Sequence, residues 1–441
     1  MKRSGRRAAL TNAHPTRREW LRWVALASAS LQVTGCGDNA LNNPPPRDVT
    51  AIVLEPTEQS FVVAVWSEHN AVAQVTVEES LSGLTIDTRA ITIAGTTNAY
   101  AMFTGLPSAM RYRVFIEFAS GITLGPYVVM TRPPRDANVP LRLAVTADID
   151  PSPAYSSSIF STLATFAPDL SVCLGDFPYA DNGPNLAMTV AAYRSVHAFT
   201  RSDPHVQTWL RSSALCAIYD DHEFRNDWAP RFVSSEADRY AAAMQVWDEF
   251  FPLPGAAPEI RYRTWQWGRQ VEGFMLDCRR FRSEPRDPDG PAKTMLGQTQ
   301  KQWFLQQIIA SQAACKLVFI SVPLDFGTGA EHWDVYAHER NEIFAALAAA
   351  DVRGVLFFSG DQHWFAAHRH SNGAREFQIG PVARGVREPP PLRPEVLARA
   401  LAYNFGAVEI ADGRISFNAI DSNGSSLYSE TLDAAALRIG T

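Results

Sequence analysis

The sequence predicts an α/β protein, a four-layer α/β/β/α sandwich preceded by an all-β domain. Three observations support this fold class. Residues 49–131 contain short alternating segments separated by Gly, Asn and Ser, which is typical of a β-sandwich. From residue 138 onward, apolar strand-like runs alternate with helical segments, the pattern of a parallel sheet. The tail alternates again with turn residues between, which predicts antiparallel strands.

Residues 1–36 have the order of an export signal: a basic region with Arg17 and Arg18, a short apolar stretch, and small residues before Cys36. The apolar stretch is shorter than the about 20 residues that span a bilayer. The paired arginines resemble a Tat signal, and the segment ending VTGC resembles a lipobox, which implies cleavage before Cys36 and lipidation of its sulfur. The alternative is an ordinary signal peptide with an incidental cysteine.

Residues 37–48 are polar and rich in Asn and Pro, which predicts a tether without a core. Together with the leader they predict an exported protein, periplasmic or at the cell surface. Its expected partners are the Tat export machinery and a membrane that holds the lipidated Cys36.

The segment GLPSAMRYRVFIEF resembles a fibronectin type III or immunoglobulin-like module, in which Leu106 and Pro107 precede a corner-closing Tyr112. Trp66 is the expected core aromatic of an earlier strand in this module. Residues 49–131 carry no motif that indicates chemistry, so a structural domain is predicted, followed by a proline-rich linker.

Composition limits the classes of partner. The net charge is −6 and the basic residues concentrate in the leader, so no nucleic-acid-binding module is expected. A hydrophobic fraction of 46% allows a large core. Four further cysteines lie in or beside apolar runs and are expected to be mostly buried thiols, although export leaves disulfides open: Cys173, Cys216, Cys278 and Cys315.

Three short apolar runs (VCL, CAIY and VLFF) are each followed by polar residues. One such group is more often a turn, but parallel strands bring their C-terminal ends to one edge of a sheet, where ligand groups gather. A fourth strand upstream ends in acidic residues. Oxygen-rich sets with some imidazole suit hard or borderline metal ions, which predicts a metal-dependent phosphoester hydrolase. The candidate residues are Asp148, Asp150, Asp176, Tyr179, Asp221, His222, Asp361 and His363.

Six segments between Asn138 and Leu432 together resemble the PhoD-like alkaline phosphatases of the calcineurin-like metallophosphoesterase superfamily. They are GDFPYAD, YDDHEFRND, LDCRRFR, MLGQTQKQWF, WDVYAHER and SGDQHW. The resemblance implies a metallophosphoesterase sandwich over residues 138–432, an immunoglobulin-like N-terminal domain, and alkaline-phosphatase-like hydrolysis in which a metal-bound hydroxide attacks phosphorus.

The resemblance also implies roles for individual residues. Asp148 and Asp150 would bind one metal, Asp176 would bridge two, and the remaining ligands would be Tyr179, Asp221, Asp361 and His363. His222 would stabilise the transition state or protonate the leaving group, Asn226 would position phosphate or a ligand, and Arg279 would contact phosphoryl oxygens. For Arg279, a salt bridge to Asp277 or Glu284 is the alternative.

The chain departs from the family at the first motif. Family members usually have Ser-Cys-Gln there, with the cysteine binding iron as a thiolate, whereas this chain has Asp148 at the cysteine position. Tyr179 is retained. The expected cofactors are therefore Fe³⁺ and Ca²⁺, with Mn²⁺ or Zn²⁺ as alternatives.

Two other functions stay open. A phosphodiesterase or phospholipase would use the same metals on a diester, so the substrate is a small-molecule or lipid phosphoester. The alternative to an enzyme is a surface-anchored binding lipoprotein with a degenerate metal site. His370, in the segment HRH, has no obvious acidic partner and is expected at the solvated surface.

Replacing the predicted lipid attachment residue tests the anchor. Cys36→Ser should release the exported protein from membranes, because the acyl chains on the sulfur supply the attachment. Fractionation of cells followed by immunoblotting measures this, with Asn39→Ser as the matched control that should stay membrane-bound. A mature N-terminus well beyond residue 36, without lipid, would contradict the prediction.

Overall fold

Two large β-sheets lie face to face in the centre of the structure, with helices on their outer faces. The computed structural model describes residues 47–151, 155, 158–182, 186–257 and 260–440. These residues fall within one compact unit, Pro45–Thr441. Across this described part, none of the helices has the length and apolar character needed to cross a bilayer. The predicted leader, Cys36 and most of the tether lie outside the described residues.

The strands and helices follow one another in nearly the order that the sequence predicts. The strands are β1 (Val49–Leu54), β2 (Ser60–Ser67), β3 (Ala71–Glu79), β4 (Thr85–Ile93), β5 (Thr97–Thr104), β6 (Arg111–Phe118), β7 (Thr123–Met130), β8 (Leu141–Thr146), β9 (Leu170–Cys173), β10 (Ala214–Ala217), β11 (Arg263–Trp267), β12 (Val271–Met275), β13 (Cys315–Phe319), β14 (Val355–Ser359), β15 (Phe365–Arg369), β16 (Arg375–Gln378), β17 (Val396–Ala400), β18 (Asn404–Ala411), β19 (Arg414–Asp421) and β20 (Ser426–Asp433). The helices are α1 (Ser158–Phe166), α2 (Val190–Ser202), α3 (Pro204–Leu210), α4 (Pro230–Ser235), α5 (Ala237–Phe250), α6 (Gly297–Ala310) and α7 (Ala337–Ala349).

The larger sheet has nine strands in the order β20-β19-β18-β8-β9-β10-β1-β2-β5. Its centre, β8-β9-β10, is parallel because α1 and the pair α2–α3 return the chain between successive strands. The second sheet has the order β11-β12-β13-β14-β16-β15-β17, and α6 and α7 make the equivalent crossovers between its parallel strands β12, β13 and β14.

The buried apolar residues form separate layers. Leu143, Val172, Phe319 and Phe358 belong to the cluster between the two large sheets. The helices α1 to α5 cover the outer face of the nine-stranded sheet, and α6 and α7 cover that of the seven-stranded sheet. The predicted α/β/β/α layering is therefore confirmed. The four cysteines in the described part are buried free thiols, as expected.

The N-terminal strands share the large sheet with the rest of the chain. β1 pairs in parallel with β10, and β2 and β5 continue the sheet outward. A third sheet, β4-β3-β6-β7, packs on them through a core of its own. The Tyr112 hydroxyl donates to the Pro107 carbonyl at 3.2 Å, as in the expected corner. Strands from both sides of the predicted boundary near residues 131–138 thus belong to one sheet.

Trp66 lies on the opposite face of its strand from the one expected. Phe61, Val63 and Val65 face the core shared with the third sheet. Trp66 belongs to the core beneath the helices, together with Trp209. Side chains alternate along a strand, and β2 is covered on both faces, so its apolar pattern did not reveal which face Trp66 would take.

Candidate metal centre

Four strand ends meet at one point between the two large sheets. Asp148, Asp176 and Asp221 follow the neighbouring parallel strands β8, β9 and β10, and Asp361 follows β14 of the other sheet. Backbone bonds hold the first two loops together, because the Asp148 N–H donates to the Gly175 carbonyl at 3.2 Å and the Ile149 N–H to the Asp176 carbonyl at 2.8 Å.

The backbone at these strand ends is strained. Asp148, Asp176, Asp361 and His363 have φ angles of 58°, 56°, 73° and 62°, in the left-handed region that residues with a side chain rarely adopt. Such residues cost about 1–3 kcal/mol each and cluster at functional sites, where surrounding structure holds them. Gly380 allows the close approach, since a Cβ there would lie 2.4 Å from Asp148 Oδ2.

The ligand atoms group into overlapping clusters. Asp148, Asp176 and His363 offer one atom each within 4.8 Å of one another, and so do Asp176, Asp221 and His222. Asp176 belongs to both clusters, the position of the predicted bridging ligand. A further group joins Asp220, Asp221 and Asp361.

His363 is held as a neutral imidazole. Its Nδ1 lies 2.7 Å from the Gly385 carbonyl, which requires a proton on Nδ1 and leaves the Nε2 lone pair facing the cluster. Burial, followed by the positive charge of Arg387, lowers its pKa to about 3. The Tyr179 hydroxyl lies 2.9 Å from Nε2, which places a phenol at the same position. Burial and then Asp176 raise the pKa of Tyr179 well above its usual range.

The polar atoms of the centre fit a metal ion. Within the described part of the chain, no hydrogen-bond partner reaches either oxygen of Asp148, Oδ2 of Asp176 or Oδ1 of Asp221. All three side chains are about 1% exposed. Burial and neighbouring carboxylates raise the pKa of Asp148 and of Asp176, because ionised carboxylates facing one another out of water repel. A bound cation would remove both penalties.

His222 lies beside the centre and is held by Asp181. Its Nδ1 is 2.7 Å from Asp181 Oδ1, and its Nε2 is 3.8 Å from Asp176 Oδ2. The ring packs on Tyr179 with centroids 4.2 Å apart. Burial alone would lower the pKa of His222, but Asp176, Asp221 and Asp181 together raise it to about 10.

Arg279 is enclosed by carboxylates. Its side chain is 0% exposed. Nε and Nη2 donate to Asp220 at 2.6 and 2.8 Å, Nη2 also lies 3.3 Å from Asp361 Oδ1, and Nη1 pairs with Glu331. The expected phosphoryl contact is therefore replaced by a positioning role, and neither expected alternative partner, Asp277 or Glu284, receives the guanidinium.

Asp150 and Asn226 are also placed differently from expectation. Asp150 is in none of the ligand clusters found among the described residues, and its carboxylate accepts from Arg384 at 2.5 Å. Asn226 is exposed, and its backbone N–H donates to Asp181. The Asp150 backbone N–H donates to the Ala383 carbonyl at 2.8 Å, next to the bridge between Ile149 and Ala383.

Sequence reasoning missed four acidic residues that organise the centre. Asp181 orients His222, and Asp220 and Glu331 hold Arg279. Glu223 accepts from the Phe177 N–H at 2.9 Å and the Asp220 N–H at 3.0 Å, so it joins two of the loops. Three of the four lie inside the quoted motifs GDFPYAD and YDDHEFRND, which was the available signal; Glu331 lies in none of them.

His370 is not at the solvated surface as expected. It is 8% exposed, and its Nε2 and Nδ1 lie 2.9 Å from Glu376 and 3.3 Å from Asp325. The partner Glu376 follows six residues later on the adjacent strand β16, a pairing that depends on the sheet register.

The chain is similar to known phosphatases. The PhoD-like phosphatase model matches residues 151–405. Alkaline phosphatase D of Bacillus subtilis (strain 168) is 25% identical over 295 residues, covering 56% of this chain and 50% of that protein. The chain thus matches about half the length of this curated relative.

Solved structures agree on the fold. A structure of PhoD has a TM-score of 0.77 at 17% identity, over 88% of this chain and 90% of that one. Purple acid phosphatase PPD1 from yellow lupin seeds has a TM-score of 0.63 at 12% identity, over 89% and 74%.

The layered sheets and the carboxylate-rich strand ends define a calcineurin-like metallophosphoesterase fold. More than half of the chain matches the family model, so the protein belongs to the PhoD-like phosphatases, a family of phosphoric ester hydrolases. The predicted family is confirmed. Asp148 precedes the matched residues.

Neutralising Asp148 tests whether the centre holds metal. Asp148→Asn should reduce bound metal and the rise in melting temperature on metal addition, because it removes one charged ligand. Without metal, the same variant should melt higher than the parent, because it relieves repulsion from Asp176. Elemental analysis and differential scanning fluorimetry measure the two effects.

Asp412→Asn is the matched control, because Asp412 is an exposed residue of the β18–β19 turn. Unchanged metal content in Asp148→Asn would show that Asp148 is not a ligand.

Proposed function

We propose that the protein is an exported, metal-dependent phosphoester hydrolase. The observation that carries the proposal is a group of buried carboxylate oxygens without partners among the described residues. They belong to Asp148, Asp176 and Asp221, and Asp176 is a member of two of the ligand clusters. Overlapping clusters around one bridging carboxylate suit two neighbouring cations. Membership of the PhoD-like phosphatases supports hydrolysis of phosphoesters as the reaction.

The donor set favours Fe³⁺ and Ca²⁺ as the ions. Asp148, Asp176, His363 and the Tyr179 phenol would hold one ion, and a highly charged ion suits a phenolate. Asp221 shares one cluster with Asp176 and another with Asp361. These three carboxylates would hold the second ion through oxygens alone, which suits Ca²⁺. Mn²⁺ or Zn²⁺ fits the same residues. When bound, such ions supply charge stabilisation of the phosphoryl group and acidify the attacking water.

His222 supplies the proton for the leaving group. Its Nδ1–H is held by Asp181 at 2.7 Å, so Nε2 is fixed toward the centre, 3.8 Å from Asp176 Oδ2. The surrounding carboxylates keep the imidazole protonated at neutral pH. Asp176 and Asp221 would share part of that negative charge with a bound cation, which would lower the pKa of His222 toward the range useful for proton donation.

Arg279 and Asp227 keep the Asp221 carboxylate ionised and oriented. Burial opposes ionisation of Asp221, but Arg279, His222 and the Asp227 N–H lower its pKa below the usual range. The Asp227 N–H donates to Asp221 Oδ2 at 2.5 Å, which leaves Oδ1 directed to the centre. These residues therefore set ligand geometry, and none of them needs to contact the substrate.

The leader supports a place outside the cytoplasm. The paired Arg17 and Arg18 and the segment that ends at Cys36 support export by the Tat machinery and lipid anchoring. Tat export carries folded proteins, which would let the metal be loaded before transport.

Removing the bridging carboxylate or the proton donor tests the function. Asp176→Ala should abolish hydrolysis of 4-nitrophenyl phosphate and lower bound metal, because it removes a ligand from both clusters. His222→Ala should lower kcat about 10²–10⁴-fold with metal content nearly unchanged. Rates are followed by nitrophenolate release at saturating metal, with elemental analysis on the same samples.

Arg414→Ala, in the β18–β19 hairpin at the far end of the sheet, is the control for both variants. Full activity of Asp176→Ala would refute the mechanism. Turnover of bis(4-nitrophenyl) phosphate alone would instead identify a phosphodiesterase.

Tyr179→Phe tests the identity of one ion. A phenolate on Fe³⁺ gives a visible charge-transfer colour, whereas Ca²⁺, Mn²⁺ or Zn²⁺ does not. The variant should lose any colour of the natively exported protein. Its activity should fall while its melting temperature changes little, because the ring packing survives. Absorption spectra, melting temperature and rates are the measurements. Colour retained without the hydroxyl would exclude the phenolate ligand.

A further inference from the structure

The segment Gly380–Arg387 runs along the metal centre and frames two of its ligands. The Ala383 N–H donates to the Asp148 carbonyl at 3.1 Å, and the Asp150 N–H donates back to the Ala383 carbonyl at 2.8 Å. His363 Nδ1 lies 2.7 Å from the Gly385 carbonyl, and the Arg387 N–H donates to the His363 carbonyl at 3.2 Å. The position of this segment is therefore fixed relative to both Asp148 and His363.

The segment carries two arginines with different surroundings. Arg384 is fully engaged: it pairs with Asp150, lies 3.2 Å from the Tyr155 hydroxyl and covers the Tyr179 ring at 4.3 Å. Arg387 is exposed, and among the described residues its guanidinium has no hydrogen bond or ion pair. It is a free cation beside the centre on a backbone that is anchored to a ligand.

The charge of Arg387 acts on the centre. Burial is the main cause that lowers the pKa of His363, and Arg387 is the next. Burial, Asp176 and Asp220 raise the pKa of Asp148, and Arg387 is the first influence that opposes them. The backbone bond from Arg387 to His363 places this residue beside the cluster that Asp148 and His363 share with Asp176.

We propose that Arg387 binds the non-bridging phosphoryl oxygens of the substrate and makes the enzyme prefer phosphomonoester dianions to diester monoanions. This inference rests on the proposed function. A guanidinium binds two phosphoryl oxygens through parallel N–H donors. The phosphoryl group of a diester carries half the charge of a monoester dianion, and its second alkoxy group obstructs the approach of the guanidinium. Because the Arg387 guanidinium has no ion pair with the described residues, it can engage the phosphate without breaking one of those contacts.

Kinetics of Arg387 variants on two substrates test the proposal. Arg387→Ala should raise KM for 4-nitrophenyl phosphate about tenfold or more, as expected for a lost charged hydrogen bond, and KM for bis(4-nitrophenyl) phosphate less than about threefold. Arg387→Lys should restore part of the monoester affinity. Bound metal and melting temperature should not change. Equal effects on the two substrates, or none, would overturn the proposal.

Binding of inorganic phosphate separates this proposal from the proposed function. Isothermal titration calorimetry on the metal-loaded protein should show a dissociation constant about tenfold higher in Arg387→Ala than in the parent or in Arg414→Ala. If the parent binds phosphate but cleaves neither ester, hydrolysis fails as the function, and the tenfold difference still supports Arg387 as the anion-binding residue. The same dissociation constant in all three proteins would overturn that role.

Discussion

Uncompensated negative charge at the strand ends is the constraint on which the rest of the structure depends. Asp148, Asp176, Asp220, Asp221 and Asp361 are buried or nearly so, and they converge from two sheets. Arg279 is the buried guanidinium that contacts this group, and it neutralises the side formed by Asp220 and Asp361. The opposite side, around Asp148 and Asp176, has carboxylate oxygens without partners in the described part of the chain. Repulsion in a low dielectric makes such a side costly unless a cation occupies it.

Separate contacts hold the loops on the side neutralised by Arg279 and on the side around Asp148 and Asp176. Arg279 is itself held by Glu331, which also binds Arg282. Glu223 ties the loops after β9 and β10 through their backbone N–H groups. The surrounding contacts hold the strained backbone at Asp148, Asp176, Asp361 and His363, although residues with a side chain do not favour positive φ angles. Separate polar networks thus hold His222, Arg279 and the loops that carry Asp176 and Asp221.

The N-terminal strands contribute to the site through the sheet. β1 covers the edge that β10 would otherwise expose, and the loop after β10 carries Asp221 and His222. Arg263, at the start of β11, pairs with Glu55 after β1 and donates to the Ala217 carbonyl at the end of β10, at 3.0 Å. One side chain thus connects the N-terminal strands, the catalytic strand β10 and the second sheet. Residues without any catalytic motif thereby help to fix where Asp221 lies.

The sequence by itself determined the layers and located most of the acidic residues that gather at the candidate centre. Period-two and helical patterns are local, so the βαβ order and the acidic strand ends at Asp148, Asp176, Asp221 and Asp361 were visible without coordinates. Helix α2 was harder to foresee, because its buried face includes His197, Thr200 and Arg201 and so masks the apolar stripe.

Only the tertiary structure decided which polar residues face the centre. Arg279 and Asp150 lie in motifs that suggest ligand or substrate contacts. In the structure Arg279 pairs with Asp220, and Asp150 pairs with Arg384. Asp181 reaches His222 across 41 residues, and the Arg387 backbone N–H reaches the His363 carbonyl from a separate segment. Such pairings depend on distances between separate elements. Ionic and hydrogen-bond energies change steeply over an ångström, whereas sequence spacing gives positions only along the chain.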